Sequence, residues 1–296
     1  MGKTGGAFGW PIGIGGVGGS GTRVIAAILR EVGYRLGVDL NQPLDNLWFT
    51  LLFKRTGMLN GSVSQEEFSK CWRLFSDTMS GSVSSDLVAW ARDYVPGLHE
   101  SPRMHHPASW LAERATSLLD FINTVDPNGV AWAWKEPNTH IVLDRLLQEC
   151  SELRYIHVIR HGLDMAFSKN QNQLEFWGDR FLSQAERALP VPIASLKYWC
   201  RTNKRVFEIA KHYPESFHVV DFDAVCTNSM LEVEKLLAFL GYDFSRGEIQ
   251  FLSKLIRVPG SVGRYRSRPL DLFDAEDLEY VRSLGYVIEN RSNVRN

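Results

Sequence analysis

The chain lacks an excess of charge of either sign. Its 33 Lys and Arg residues face 34 Asp and Glu residues, a formal net charge of -1 at pH 7. That removes the electrostatic reason to expect nucleic acid as a partner. Cysteine is scarce. Cys71, Cys150, Cys200 and Cys226 are far apart and form no C-x-x-C pair. This spacing favours free thiols in a reducing, cytoplasmic compartment over a disulfide framework or a zinc site. Apolar runs are short, and none reaches the length of a membrane span. The N-terminus has only Lys3 before its glycines, without the apolar stretch of a signal peptide. Aromatic residues are plentiful: 9 Trp, 9 Tyr and 16 Phe in 296 residues need burying, which excludes disorder as the main state.

What is present alternates. Residues 11–16 read as a short buried strand weakened by its glycines. From Thr22, Val24, Ile25, Ile28, Leu29 and Val32 recur at helical spacing, and Gly33 closes the helix. Strand, glycine loop, helix is the unit that presents backbone N–H groups to a phosphate. Residues 47–53, 68–75 and 109–122 read as helices, residues 76–85 as a Ser/Gly surface loop, and residues 1–9 as a glycine-rich tail. Residues 130–134 alternate as a strand, 138–149 follow as a helix, and 153–159 form a β-branched strand. Arg160-His161-Gly162 breaks that strand before a helix over 163–169. A long amphipathic helix over 193–212, a strand at 217–220, a helix over 230–240 closed by Gly241, a basic loop at 257–268 and a helix over 274–284 complete the chain. The expected fold is α/β, with three α/β/α layers around a central parallel sheet of four or five strands. Its expected topology is P-loop NTPase-like, with a helical insertion between the early strands.

The glycine loop reads in more than one way. Gly13-Ile-Gly-Gly-Val-Gly18 satisfies G-x-G-x-x-G, with Asp39 about twenty residues on, the dinucleotide pattern. Gly16-Val-Gly-Gly-Ser-Gly21-Thr22-Arg23 is G-x-x-x-x-G with Thr-Arg where a P-loop nucleoside triphosphatase has Lys-[Ser/Thr]. The third reading is a Gly-rich turn without a ligand. Arg160 and Ser168, a fork of N–H donors and a hydroxyl, would together suit a phosphate. The bland reading is a strand-end Arg paired with Asp164.

Together, Gly18-Gly-Ser-Gly-Thr-Arg23, Lys135-Glu-Pro137 and Tyr155-Ile-His-Val-Ile-Arg160-His-Gly-Leu-Asp-Met-Ala-Phe-Ser168 resemble the sulfotransferases that use PAPS, 3′-phosphoadenosine 5′-phosphosulfate. The resemblance implies a single domain over 1–296. Residues 10–34 would bind the phosphosulfate, 35–128 would form a helical acceptor side, and 130–285 would complete the nucleotide core. Gly18, Gly19, Ser20, Gly21, Thr22 and Arg23 would hold the 5′-phosphosulfate, and Arg160 and Ser168 the 3′-phosphate. Residues 219–225 and 236–241 look like the later strand and helix of bacterial members. Ser261-Val-Gly-Arg-Tyr-Arg266 looks like the loop that folds over the nucleotide, with contacts from Ser261, Gly263 and Arg264. Two positions depart from the pattern. Gly19 stands where many members have Lys or Arg, and Phe222-Asp-Ala224 stands where an aromatic residue and two acids are common.

Sulfuryl transfer needs in-line positioning and charge stabilisation at the leaving phosphate. A cation is wanted near the bridging oxygen, with Lys135 the first choice and Arg23 the second. A base should take the acceptor's proton. Asp45, Glu136, His99, His105 and His106 are the candidates. Glu136 equally reads as an ion-paired structural residue, and Asp45 as a helix N-cap. No metal is implied. Trp132, Trp134 and His157 read as core. The aromatics Trp48, Phe49, Phe53, Phe68, Trp72 and Phe75 suit either core or an acceptor with apolar parts. The expected activity is transfer from PAPS to a hydroxyl or amine of a small-molecule, glycan or lipid acceptor, leaving PAP (3′-phosphoadenosine 5′-phosphate). The alternatives are a P-loop kinase recruiting Asp221 or Asp223, a Rossmann oxidoreductase using Asp39, and a nucleotide-binding or scaffold protein without catalysis.

Overall fold

Residues Ile12–Gly15 form the short buried strand β1 expected near the start of the chain. Three further strands follow: β2 (Ala133–Lys135), β3 (Arg154–Ile159) and β4 (Phe217–Asp221). In the computed structural model, which describes residues 10–100, 106–122 and 131–289, they form a four-stranded parallel sheet of order β2-β1-β3-β4. Ile12 lies opposite Ala133, Gly13 opposite Trp134 and Ile14 opposite Lys135. The glycines of β1 make room for its neighbours. A Cβ at Gly13 would stand 2.7 Å from the Trp134 ring, and one at Gly15 would strike the Tyr155 hydroxyl.

Two compact units divide the chain. One consists of the described residues up to Gly15 and Thr22–Ile156; the other consists of Gly16–Gly21 and the described residues from His157 onward. β3 runs from the first into the second. In the first unit α1 (Thr22–Glu31) buries Ile25, Ile28 and Leu29 and stops before Gly33, whose φ of 104° suits glycine. The helical insertion between β1 and β2 contains α2 (Leu47–Phe53) and the helices Gln65–Ser80 and Ala108–Phe121. Their aromatics pack as core. Phe49 and Phe75 each lie within 5.6 Å of the Trp134 ring, centroid to centroid, and Trp72 meets both Trp132 and Trp134. Trp48, Phe49, Phe53, Phe68, Trp72 and Phe75 are all buried, so this cluster offers no surface to an apolar acceptor.

Four local expectations need correction. The loop expected over 76–85 begins only at Gly81, because Thr78 and Met79 are buried and extend the helix through Ser80. The helix expected over 138–149 is broken at Val142 into a 3-10 turn, Pro137–Ile141, and a helix, Leu143–Glu149. The strand expected over 130–134 is shifted to Ala133–Lys135, with Trp132 bridging Arg35. The helix expected over 163–169 ends at Ala166, which leaves Ser168 beyond it. Val130, His105 and the tail over 1–9 lie outside the described residues.

The second unit carries the long helix Val191–His212, whose Trp199 ring packs against Gly162, and the helix Ser229–Phe239 ahead of Gly241. His157 is fully buried, as expected, and bonds through Nε2 to Asn203 Oδ1 at 2.8 Å. Burial pushes its imidazole down to about 4. The unfolded chain takes that proton near the ordinary histidine value of 6.5. Stability present above that pH is therefore lost as the pH falls through the folded value. Between neutral pH and about pH 4.5, the unfolding free energy of the wild type should fall by roughly 2 kcal/mol more than that of His157→Gln, read from urea titrations. Parallel curves would refute this. Among the described residues no helix is long and apolar enough to cross a membrane.

Candidate functional site

The glycine loop, Arg160 and the late basic loop all belong to the second unit. The glycine loop is held at two points. Ser20 N donates to Val17 O at 3.0 Å, and Gln173 Nε2 donates to Gly16 O at 3.4 Å. The Phe222 ring closes against Gly21, leaving no space for a Cβ there. The Arg160 guanidinium lies over the same ring, 5.5 Å from its centroid. One aromatic side chain thus brings the loop and the strand-end cation together. Ser20 is 1% exposed and Arg160 is 4% exposed, yet Ser20 Oγ and Arg160 Nε have no hydrogen-bond partner among the described residues. Buried polar atoms in that condition are costly and mark a place for a ligand group.

The late loop converges on the same arginine. Arg160 Nη2 donates to Ser261 Oγ at 3.0 Å, and Arg264 Nε donates to Ser261 O at 3.1 Å. Burial holds the Arg264 guanidinium below its ordinary pKa, and the positive charge of Arg160 lowers it further. Two guanidiniums near enough to oppose one another favour an anion. Asp164 pairs with Arg160 at 3.5 Å and accepts from Gly263 N and Tyr265 N. Ser168 is half-buried, and its Oγ accepts from Asn170 N at 3.2 Å. Sequence reasoning missed the part played by Phe222 and Gln173. It placed Asp164 beside Arg160 without the two amides that Asp164 receives.

The remaining candidates sit in the first unit. Thr22 is buried at the start of α1, and Arg23 beside it is exposed. Lys135, at the end of β2, is buried and bonded to the Asp45 carboxylate. Asp45 also accepts from Asn41 Nδ2 at 2.7 Å, and its N–H donates to Asn41 Oδ1. The N-cap of α2 is Asn46, whose side chain accepts from Phe49 N, so Asp45 is not the cap. The turn that delivers Asp45 contains Leu44 at φ 69°, a left-handed backbone uncommon for a branched residue. Glu136 is buried, pairs with Lys54 at 3.5 Å and accepts from Asn138 N and Nδ2. That is the ion-paired structural role. His99 is half-buried, and His106 stacks on Trp110.

The acids that the rival readings need are engaged elsewhere. Asp39 pairs with Arg114 at 3.2 Å instead of ending a strand. Asp221 caps the helix Phe222–Thr227 and accepts from Tyr286 Oη, and Asp223 accepts from His161 N. Among the described residues no group of three His, Cys, Asp or Glu side chains is arranged to hold a metal ion.

Gly19 is exposed at φ 94°, with only Met165 Cε near the position of a Cβ. The space is open, but the backbone suits glycine. Gly19→Lys should therefore destabilise the protein by about 1–2 kcal/mol, seen as a lowered melting temperature. An unchanged melting temperature would show that the loop relaxes.

A model of the sulfotransferase family matches residues 11–246. The match ends before the late loop. Among solved structures, the sulfotransferase domain from the Synechococcus PCC 7002 olefin synthase is similar at a TM-score of 0.50 and 13% identity, covering 94% of this chain and 95% of that one. Sulfotransferase STF9 from Mycobacterium avium gives a TM-score of 0.47 at 13% identity, covering 95% and 77%. At this identity the first of these likenesses bears on the fold alone. No curated protein sequence matches.

Proposed function

Because the chain belongs to the sulfotransferase family, we propose that it transfers a sulfuryl group from PAPS to a hydroxyl or amine of its acceptor. The observation that carries the nucleotide assignment is the convergence of Arg160, Arg264 and Ser261 in one unit. A 3′-phosphate has the charge and acceptor oxygens that such a set recognises. The partnerless Arg160 Nε and Ser20 Oγ support the fit. Ser20 and the backbone N–H groups of the glycine loop would hold the 5′-phosphosulfate. When bound, PAPS supplies the activated sulfuryl group.

In the first unit the Lys135–Asp45 pair is the acid–base candidate. Asp45 would take the acceptor's proton, and Lys135, paired with it, would supply a positive charge. Arg23 stands second to Lys135 as the cation.

Calorimetric titration with PAP, AMP, ATP with Mg²⁺, and NAD tests the reading. PAP should bind at least about tenfold more tightly than AMP, a difference of about 1.4 kcal/mol. Uptake of ATP or NAD without PAP would overturn the nucleotide assignment and leave the family membership intact. Silence from all four would make the glycine loop a plain turn.

A further inference from the structure

Asp164 is fully buried in the second unit, inside the short helix Gly162–Ala166 and four residues after Arg160. A carboxylate in that position needs donors for both oxygens. It receives three. Gly263 N donates to Oδ2 at 2.7 Å, Tyr265 N donates to Oδ1 at 3.2 Å, and Arg160 Nη2 stands 3.5 Å from Oδ2. The Arg160 contact is the longest of the three. The two amides come from a loop about a hundred residues further along the chain. A strand-end salt bridge would need no such loop. The loop reciprocates, since Ser261 accepts from Arg160 and carries Arg264 on its carbonyl. The negative charge of Asp164 also opposes the repulsion between the two guanidiniums, raising Arg264 where Arg160 lowers it.

We propose that Asp164 is the positioning residue of the anion site, its single carboxylate fixing Arg160 and the 261–265 loop to each other before a nucleotide arrives. The proposal rests on the reading of that site as a 3′-phosphate site. Asp164 touches no substrate in this scheme. It sets the distance between the cations that do.

The test combines hydrogen exchange with calorimetry. In the wild type without nucleotide, the Gly263 and Tyr265 amides should already be protected. In Asp164→Asn, which keeps size and one acceptor oxygen but not the charge, at least one of the two amides should lose protection. PAP affinity should fall about tenfold or more, while AMP affinity stays within about threefold. Asp164→Glu should recover part of the PAP affinity. A merely structural carboxylate would weaken PAP and AMP together. That outcome, or loss of amide protection with the PAP-to-AMP ratio unchanged, overturns the proposal. Should Asp164→Asn fail to fold, the wild type decides: freely exchanging Gly263 and Tyr265 amides overturn the proposal, and protected ones support it. If the wild type takes up no PAP while both amides are protected, the 3′-phosphate reading falls and the hold of Asp164 on the loop stands.

Discussion

Arg160→Ala is expected to raise the dissociation constant for PAP about a hundredfold, since hydrogen bonds to a charged group contribute about 1.5–3 kcal/mol. AMP, which has no 3′-phosphate, should stay within about threefold. The selectivity of the effect follows from placement. Arg160 sits at the end of β3, buried, with Ser261 on one amino group and Phe222 beneath the guanidinium. Removing it leaves Asp164 with the Gly263 and Tyr265 amides, so the buried carboxylate keeps partners and the unit should still fold. Far-UV circular dichroism and the melting transition should confirm that. Equal weakening of PAP and AMP would mean that Arg160 serves the architecture and not the 3′-phosphate.

Gly21→Ala is the second large effect. At φ 104° an alanine is strained, and its methyl would overlap the Phe222 ring. Backbone strain of about 1–2 kcal/mol joins an overpacking cost of about 1–3 kcal/mol. Unlike Arg160→Ala, this change should lower the melting temperature and weaken PAP and AMP together, because it displaces the loop that both nucleotides share. Phe222→Leu in the Gly21→Ala background should relieve the packing part and leave the backbone part, giving a non-additive cycle. Native affinity in the single variant would show that the loop is not a nucleotide cradle.

Periodic segments were legible in the sequence. The β-branched run before Arg160, the stripe after Thr22 and the amphipathic helix before His212 all follow from local pattern and burial. Where the sequence misled, tertiary contacts decided. The serines near residue 80 suggest a loop, yet Ser80 Oγ bonds back to Asp77 O inside a helix whose other face is buried. Asp45 and Asn46 can each cap a helix. Asn46 does so, because Asp45 is drawn to Lys135, ninety residues away. The helix expected to run to Lys169 ends at Ala166, two residues before Ser168. The aromatic residues of the helical insertion fit a pocket or a core on composition alone, and only their mutual packing assigns them to the core. Asp164 is the clearest case of an illegible role. Its amide partners are 99 and 101 positions downstream, and no local pattern announces them.

The same separations impose an order of events on the growing polypeptide. The carbonyl of Val287 accepts from both His161 Nε2 and Tyr265 Oη, and the first of these spans 126 positions. On the ribosome, at about 5–20 residues per second, Val287 is added roughly 6 to 25 s after His161. For most of that interval Arg160 and Asp164 exist without the loop that encloses them. A nascent chain stalled before Ser261 should therefore lack the amides that hold Asp164, and the cluster is completed only once residues 261–287 have emerged.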